Sequence, residues 1–308
     1  MIHGGAGELD RISNSDDATP WLDSIHTVLE CGRDILEQNG SALDTVETCA
    51  AMLEDNQLFN AGRGSVLNNH GKVENDAAIM DGRNFKAGSV AGITGIKNPV
   101  KLARLVLATT EHVMLVGDGA MQFAIQSGID TVTDDYLITD YRRAQYEKIR
   151  NAGHLVLDLN TSKDVESDHG TIGAVAWDCA GNLAAATSTG GMLNKMRGRV
   201  GDSPVIGAGI FADNRTCAIS GSGCGEDFIR TVLAKHIASL IEFRHLDAID
   251  AVRQGIDYLV NRVNGRGGVI IIDRNGHCAS GFSTKTMIHG YIEHSGEIKC
   301  SFRNSFPG

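Results

Sequence analysis

The sequence predicts a layered α/β body in which helices cover the faces of sheets. Three observations predict it. Segments with helical apolar spacing alternate with short apolar strands, two strand-turn-strand segments share one internal order, and no basic or low-complexity stretch divides the chain. With 308 residues, 42% of them hydrophobic, the chain can bury a large core in one or two compact units.

Met1-Ile-His-Gly-Gly-Ala-Gly7 reads as the end of a strand entering a glycine-rich turn, without the spacing or lysine of a phosphate loop. Residues 21–38 and 42–54 have helical apolar spacing and are separated by Asn39-Gly40, a helix stop. Asn60-Ala-Gly62-Arg63-Gly64-Ser65 makes a polar turn, and Val73 to Gly82 reads either as strands and turns near an active surface or as a purely structural hairpin. Helices follow at 96–108, 117–126 and 139–150. The tract 158–170 is rich in turn formers and lacks a period, so it is the linker candidate, with His169 a solvated residue within it.

The second half opens on Gly170-Thr171-Ile172-Gly173-Ala174-Val175. Asp178 and Gly181 supply a turn, and a second strand ends at Thr189, so the hairpin returns Thr189 beside Thr171. The same order recurs from Gly268 through Asp273 and Gly276 to Ser283-Thr284, which predicts adjacent sheet hairpins with Thr171 at the edge of one. Helices at 226–243 and 246–263 lie between them.

Thr171 carries the chemistry. A threonine hydroxyl is a weak nucleophile until a base removes its proton. Cutting the Gly170–Thr171 bond creates such a base beside it, because a free α-amine has a pKa of about 7.7 and is partly neutral near pH 7. Arg199 and Asp202, three residues apart in a glycine-rich segment, form a clamp: a guanidinium for a carboxylate, a carboxylate for an ammonium. A surface ion pair between the two is the structural alternative. The small-residue loop Gly221-Ser222-Gly223-Cys224-Gly225-Glu226 offers a hydroxyl and amides to a developing oxyanion. It also suffices as a tight helix entry, with Glu226 favoured at a helix N-terminus. Cys224 has no histidine near it in sequence and reads as a small packing residue.

Composition excludes other classes. A net charge of -10 and 5% aromatic residues argue against a nucleic-acid or anionic-membrane surface. No apolar stretch reaches membrane-span length and the first residues lack a secretion signal, so the expectation is a cytoplasmic protein. Seven cysteines without CxxC spacing read as buried thiols, not as a disulfide framework or zinc site.

The motifs Ile2-His3-Gly4-Gly5-Ala6-Gly7, Phe59-Asn60-Ala61-Gly62-Arg63-Gly64-Ser65, Gly170-Thr171-Ile172-Gly173-Ala174-Val175, Thr187-Ser188-Thr189-Gly190-Gly191, Gly198-Arg199-Val200-Gly201-Asp202-Ser203-Pro204 and Gly223/Gly225-Glu226 occur in this order. In that order the chain resembles the plant-type asparaginase and isoaspartyl-peptidase family of N-terminal-nucleophile hydrolases over nearly its full length. The resemblance implies a four-layer αββα sandwich formed as a single folded unit, 1–308. It implies autocleavage before Thr171 into an α subunit, 1–170, and a β subunit, 171–308, and a homodimer of the cleaved protomers. Carried over by position, Thr171 is the nucleophile and Thr189 assists it. Arg199 and Asp202 bind the aspartyl carboxylate and ammonium, while Ser222 and Gly223 form the oxyanion pocket. Serine stands where the family usually has threonine, keeping the hydroxyl and losing a methyl. The resemblance also implies a structural sodium held mainly by main-chain carbonyls of Leu53, Glu54, Asn56, Phe59, Ala61 and Arg63, and no cofactor for catalysis. Expected substrates are isoaspartyl dipeptides and L-asparagine. The alternatives are a glycosylasparaginase and, in another class, a noncatalytic protein that binds an aspartate-like metabolite.

Overall fold

The computed structural model describes residues 1–7, 15–151 and 170–303. Strand β1 (Ile2–Gly7) is followed by helices α1 (Ser15–Glu37) and α2 (Ala42–Asp55). Asn39 takes a left-handed φ of 61° and the Gly40 N–H bonds back to the Ile35 carbonyl at 2.8 Å, which ends α1 as the Asn-Gly pair predicts. Ser41 then caps α2, accepting from the Asp44 N–H. The first helix begins earlier than its apolar spacing suggests: it runs through Pro20, whose missing N–H leaves the helix one backbone hydrogen bond short.

Next come β2 (Asn75–Asp81), β3 (Ala87–Ile93), α3 (Pro99–Thr109), β4 (Met114–Val116), α4 (Gly117–Gln126), α5 (Asp134–Leu137) and α6 (Asp140–Asn151). The remainder is β5 (Ile172–Trp177), β6 (Leu183–Thr189), β7 (Ile210–Ala212), β8 (Cys217–Gly223), α7 (Gly225–Thr231), α8 (Leu233–Arg244), α9 (Ala248–Val263), β9 (Gly267–Asp273), β10 (Cys278–Phe282), β11 (Thr286–Ile292) and β12 (Ile298–Ser301). The strands form a sheet of eight, ordered β12-β11-β1-β5-β6-β2-β3-β4, and a sheet of four, ordered β10-β9-β8-β7. Among the described residues no helix is long and apolar enough to cross a membrane.

Side-chain parity along the strands explains the packing. In β2, Ala77 and Ile79 join a core with Ile25, Val46 and Leu102 of α1, α2 and α3, whereas Ala78 and Met80 join one with Ile219, Val269 and Ile271 of the smaller sheet. Strands β5 and β6 divide the same way: Ile172, Ala174, Ala184 and Ala186 pack toward the helices, Val175 and Ala185 toward the other sheet. Thr171, Thr187 and Thr189 share the parity of that second face. Between the sheets runs a polar seam, in which the Ser220 hydroxyl meets His3 Nε2 at 2.8 Å and Thr187 Oγ1 at 2.7 Å. Burial pushes the His3 pKa down to about 3, so the ring is neutral at neutral pH.

Several sequence expectations need correction. The two hairpins are not neighbours in one sheet: β5 and β6 belong to the sheet of eight, β9 and β10 to the sheet of four. Thr171 does stand at the open end of its hairpin, immediately before β5, although β5 itself is an interior strand between β1 and β6. The helix expected at 226–243 is two helices broken at Val232, which takes a left-handed φ of 48°. Ser222 and Gly223, expected in a loop, are the last residues of β8. Cys179 is exposed while Cys49, Cys217 and Cys224 are buried. The linker candidate, apart from Gly170, and His169 lie outside the described residues.

At Gly173 the two sheets approach closely, and a Cβ there would run into the Ser220 hydroxyl and the His3 imidazole. Gly173→Ala should therefore lower the unfolding free energy by about 1–3 kcal/mol, read as an earlier urea midpoint at unchanged slope. An unshifted midpoint would show that the seam yields freely.

Candidate active site

The site forms where β5 begins and β6 ends. Because the two strands are antiparallel neighbours, with Ile172 opposite Ser188, the hairpin sets Thr171 against Thr189. The Thr171 hydroxyl donates to Thr189 Oγ1 at 3.3 Å, and the Thr189 hydroxyl donates to the Gly170 carbonyl at 3.4 Å. Thr189 Oγ1 also accepts the Gly191 N–H at 2.9 Å, which fixes its orientation. The hairpin brings the two threonines together, and the Thr171 hydroxyl, the Thr189 hydroxyl and the carbonyl preceding Thr171 are joined by one line of hydrogen bonds.

The polar turn 60–65 lies behind this line. Asn60 Nδ2 donates to the Gly191 carbonyl at 2.7 Å, and the Asn60 carbonyl accepts the Gly190 N–H at 2.9 Å. Its side-chain oxygen accepts from the Val66 N–H at 2.8 Å, so the residue has no freedom to turn away.

Gly170, Thr171, Thr189, Arg199, Asp202 and Gly223 border one small cleft, which Gly191, Met192 and Gly201 complete. Four regions distant in sequence thus converge. Cavity size is no guide to this site: a volume of about 580 Å³ beside Asp247, Tyr291 and His294 holds no comparable set.

Arg199 and Asp202 do not form an ion pair with each other. The guanidinium instead donates side-on to Glu226, from Nε and Nη2, both at 2.9 Å. Gly201 and Gly225 wall it in, since a Cβ on either would come within 2.9 Å of a guanidinium nitrogen. Nη1 makes no hydrogen bond and has Gly201 against it. Asp202 is buried, and its Oδ2 has no hydrogen-bond partner. Burial pushes its pKa up to about 7; Arg199 opposes the rise, and the negative charges of Glu226 and Asp76 add to it. Asp202 borders the cleft, while its Oδ2 lies against Gly209 and leaves the carboxylate unsatisfied.

Ser222 is wholly buried and does not border the cleft itself. Its Oγ accepts the Ala6 N–H at 2.9 Å and the Thr171 N–H at 3.3 Å, keeping its own proton to donate. Cys224 is no thiolate, because burial raises its pKa to about 12. In the 53–63 loop the Arg63 N–H closes onto the Glu54 carbonyl at 2.7 Å, and the Leu53 and Asn56 carbonyls accept from Asn56 and Phe59. The Glu54 carboxyl points elsewhere, its Oε1 accepting from the Val100 N–H at 2.9 Å.

Sequence reasoning missed what Glu226 and Asn60 touch. Glu226 reads locally as a helix-start acid, yet it pairs across 27 positions with Arg199. For Asn60 the signal was its place in a polar turn, which says nothing of the strand end it holds.

Comparison with known proteins gives the same direction. The family profile described as Asparaginase (Asparaginase_2) matches residues 1–301. The chain is 42% identical over 292 residues to an isoaspartyl peptidase of Salmonella typhimurium, covering 94% of this chain and 93% of that one. It is 44% identical over 290 residues to an isoaspartyl peptidase/L-asparaginase of Xenopus laevis, with 93% and 89% covered. The Homo sapiens protein of that name is 42% identical over 261 residues, with 83% and 81% covered.

A ligand ammonium should engage only ionised Asp202, whose pKa near 7 makes the site pH-sensitive. Aspartate affinity, measured calorimetrically from about pH 8 to about pH 5, should fall toward tenfold per pH unit on the acid side. Asp202→Asn should bind weakly with no such slope. A flat wild-type profile would remove Asp202 from the ligand contact.

Proposed function

Because this chain belongs to the Asparaginase family, we propose that it is a self-processing threonine amidohydrolase that cleaves isoaspartyl dipeptides and the side-chain amide of L-asparagine. The observation that carries the reading is the hydrogen-bonded line from Thr171 through Thr189 to the Gly170 carbonyl, set in the cleft that Arg199 and Asp202 border.

Self-processing is an acyl transfer. The Thr171 oxygen attacks the Gly170 carbonyl carbon, the Thr189 hydroxyl stabilises the carbonyl oxygen, and the bond to the Thr171 nitrogen breaks as that nitrogen takes up a proton. Water then hydrolyses the resulting ester, leaving a Gly170 carboxylate and a free Thr171 amine. Two subunits result, 1–170 and 171–308, which stay folded together. Since Gly170 itself borders the cleft, its departure makes room for substrate.

In turnover the Thr171 amine takes the hydroxyl proton and the oxygen attacks the β-carbonyl of the substrate. Ser222, with both acceptor positions filled by N–H donors, donates a hydrogen bond through its hydroxyl to the oxyanion, and the Gly223 amide adds a second donor. Ammonia or an amino acid leaves, and water frees aspartate from the β-aspartyl ester. Arg199 on the carboxylate and Asp202 on the ammonium hold the reacting carbonyl in place throughout.

The wider reading follows the family. Contacts of α1 to α3 with the larger sheet, of the larger sheet with the smaller, and of α8 and α9 with the smaller support the four-layer αββα order. The cleaved protomers pair as a homodimer. The 53–63 turn, closed by the Arg63 N–H, suits a structural sodium, because neutral carbonyl oxygens from Leu53, Glu54, Asn56, Phe59, Ala61 and Arg63 match a hard monovalent cation. That ion would brace the turn and take no part in the chemistry.

Denaturing mass spectrometry of the purified protein should find fragments 1–170 and 171–308, and the sample should release aspartate from an isoaspartyl dipeptide in preference to a glycosylated asparagine. Thr171→Ala should abolish both fragmentation and turnover. An uncut chain that hydrolyses these substrates would overturn the mechanism, and aspartate binding without fragments or hydrolysis would reduce the protein to a binder.

A further inference from the structure

Next to the cleft lies a pair of buried charges that the hydrolytic steps leave unused. Asp76, on β2, is completely buried; its Oδ1 accepts the Gly92 N–H at 2.8 Å and its Oδ2 the Gly201 N–H at 3.4 Å. Lys195 is buried too, and its Nζ donates to the Glu74 carbonyl at 2.8 Å. The Glu74 carboxylate in turn accepts the Gly198 N–H at 3.3 Å. The two charges act on each other: Lys195 is the strongest charged influence holding Asp76 ionised, and Asp76 the strongest holding Lys195 protonated, each against the effect of burial.

Both members reach the cleft through glycines. Gly201, held by Asp76, borders the cleft and lies against the Arg199 guanidinium. Gly191 also borders it, and the end of the Lys195 side chain fills the space its Cβ would take, with Nζ at 2.8 Å. The charges alternate in sign, Lys195, Asp76, Arg199, Asp202, with Asp76 attracting Arg199 and repelling Asp202. Opposite charges buried near one another without a direct ion pair are costly to desolvate, so stability alone is a weak reason for their presence.

We propose that Asp76 and Lys195 are positioning residues for substrate recognition. Asp76 sets the Gly201 turn and the placement and charge balance of the Arg199–Asp202 clamp, while Lys195 neutralises Asp76 and supports the Gly191 rim. This rests on the reading of Arg199 and Asp202 as the substrate clamp. The pair acts on binding and not on the reacting atoms, which lie on Thr171.

The test is Asp76→Asn in the processed enzyme, assayed on L-asparagine and an isoaspartyl dipeptide. KM should rise by about tenfold or more while kcat stays within about threefold, the pattern of lost binding common to ground and transition states. The acid limb of kcat/KM should move to lower pH, because Asp202 loses a negative neighbour while Arg199 and Glu226, the other charges facing it, remain. Lys195→Met should raise KM and lower Tm by stranding Asp76. The double variant, Asp76→Asn with Lys195→Met, strands no charge, so it should recover Tm without recovering KM; it carries the KM test if either single variant does not fold. Wild-type KM with an unmoved acid limb, or a double variant whose KM recovers along with its Tm, would reduce the pair to a structural element. Calorimetric aspartate affinity in the same variants reads the effect without turnover. A wild-type enzyme that hydrolyses neither substrate would fail the function reading instead, a result distinct from unchanged affinity in Asp76→Asn.

Discussion

The hydrogen bond from the Thr171 hydroxyl to Thr189, continued to the carbonyl of Gly170, is the contact on which the rest of the structure depends. It exists because two antiparallel strands, β5 and β6, are joined by a tight turn at Asp178 and Gly181, which fixes their register. A slip of one residue would turn Thr189 toward the helices and bring Ser188 to the cleft. Burial on both faces of β6 penalises that slip, since Leu183 would leave the core shared with the smaller sheet and Thr187 would be carried from the Ser220 hydroxyl to the apolar face beneath the helices. Core packing and active-site geometry are therefore enforced by the same side chains.

Around that contact the cleft is electrostatically asymmetric. The nucleophile end is built of hydroxyls, amides and a neutral histidine, none of which carries a formal charge near neutral pH. The recognition end holds Arg199, Asp202 and Glu226 within a few residues of glycine backbone. An uncharged surrounding suits a base that must be partly neutral to work, because a nearby cation would depress its pKa and a nearby anion would raise it. On the proposed mechanism, charge is placed where it would select a zwitterionic ligand and kept from where it would mistune the amine.

Much of this was legible in sequence, and what was not had physical reasons. The Thr171 hairpin was readable because period-two alternation and an Asp-Gly turn are local signals, and the Asn39-Gly40 break for the same reason. The break at Val232 was not, since valine is a poor candidate for a left-handed residue and the apolar spacing runs through it. Strand β12 is only half-buried and β4 is mostly exposed, so neither shows a clean alternation. Arg199 and Asp202 stood out as a local motif, but their neighbours did not: Asp76 reaches Gly201, and Glu226 reaches Arg199, only through the fold. Asp76 alone left a trace, as a charge within a strand of small buried residues.

One consequence follows from Gly170 bordering the cleft. On the proposed route the chain's own backbone blocks the site until the bond it contributes is broken. Onset of activity is then a unimolecular clock, first-order in each newly folded molecule and indifferent to how many copies surround it. A cell could not hasten it by making more protein or by supplying substrate, and each molecule would pass the step once, irreversibly.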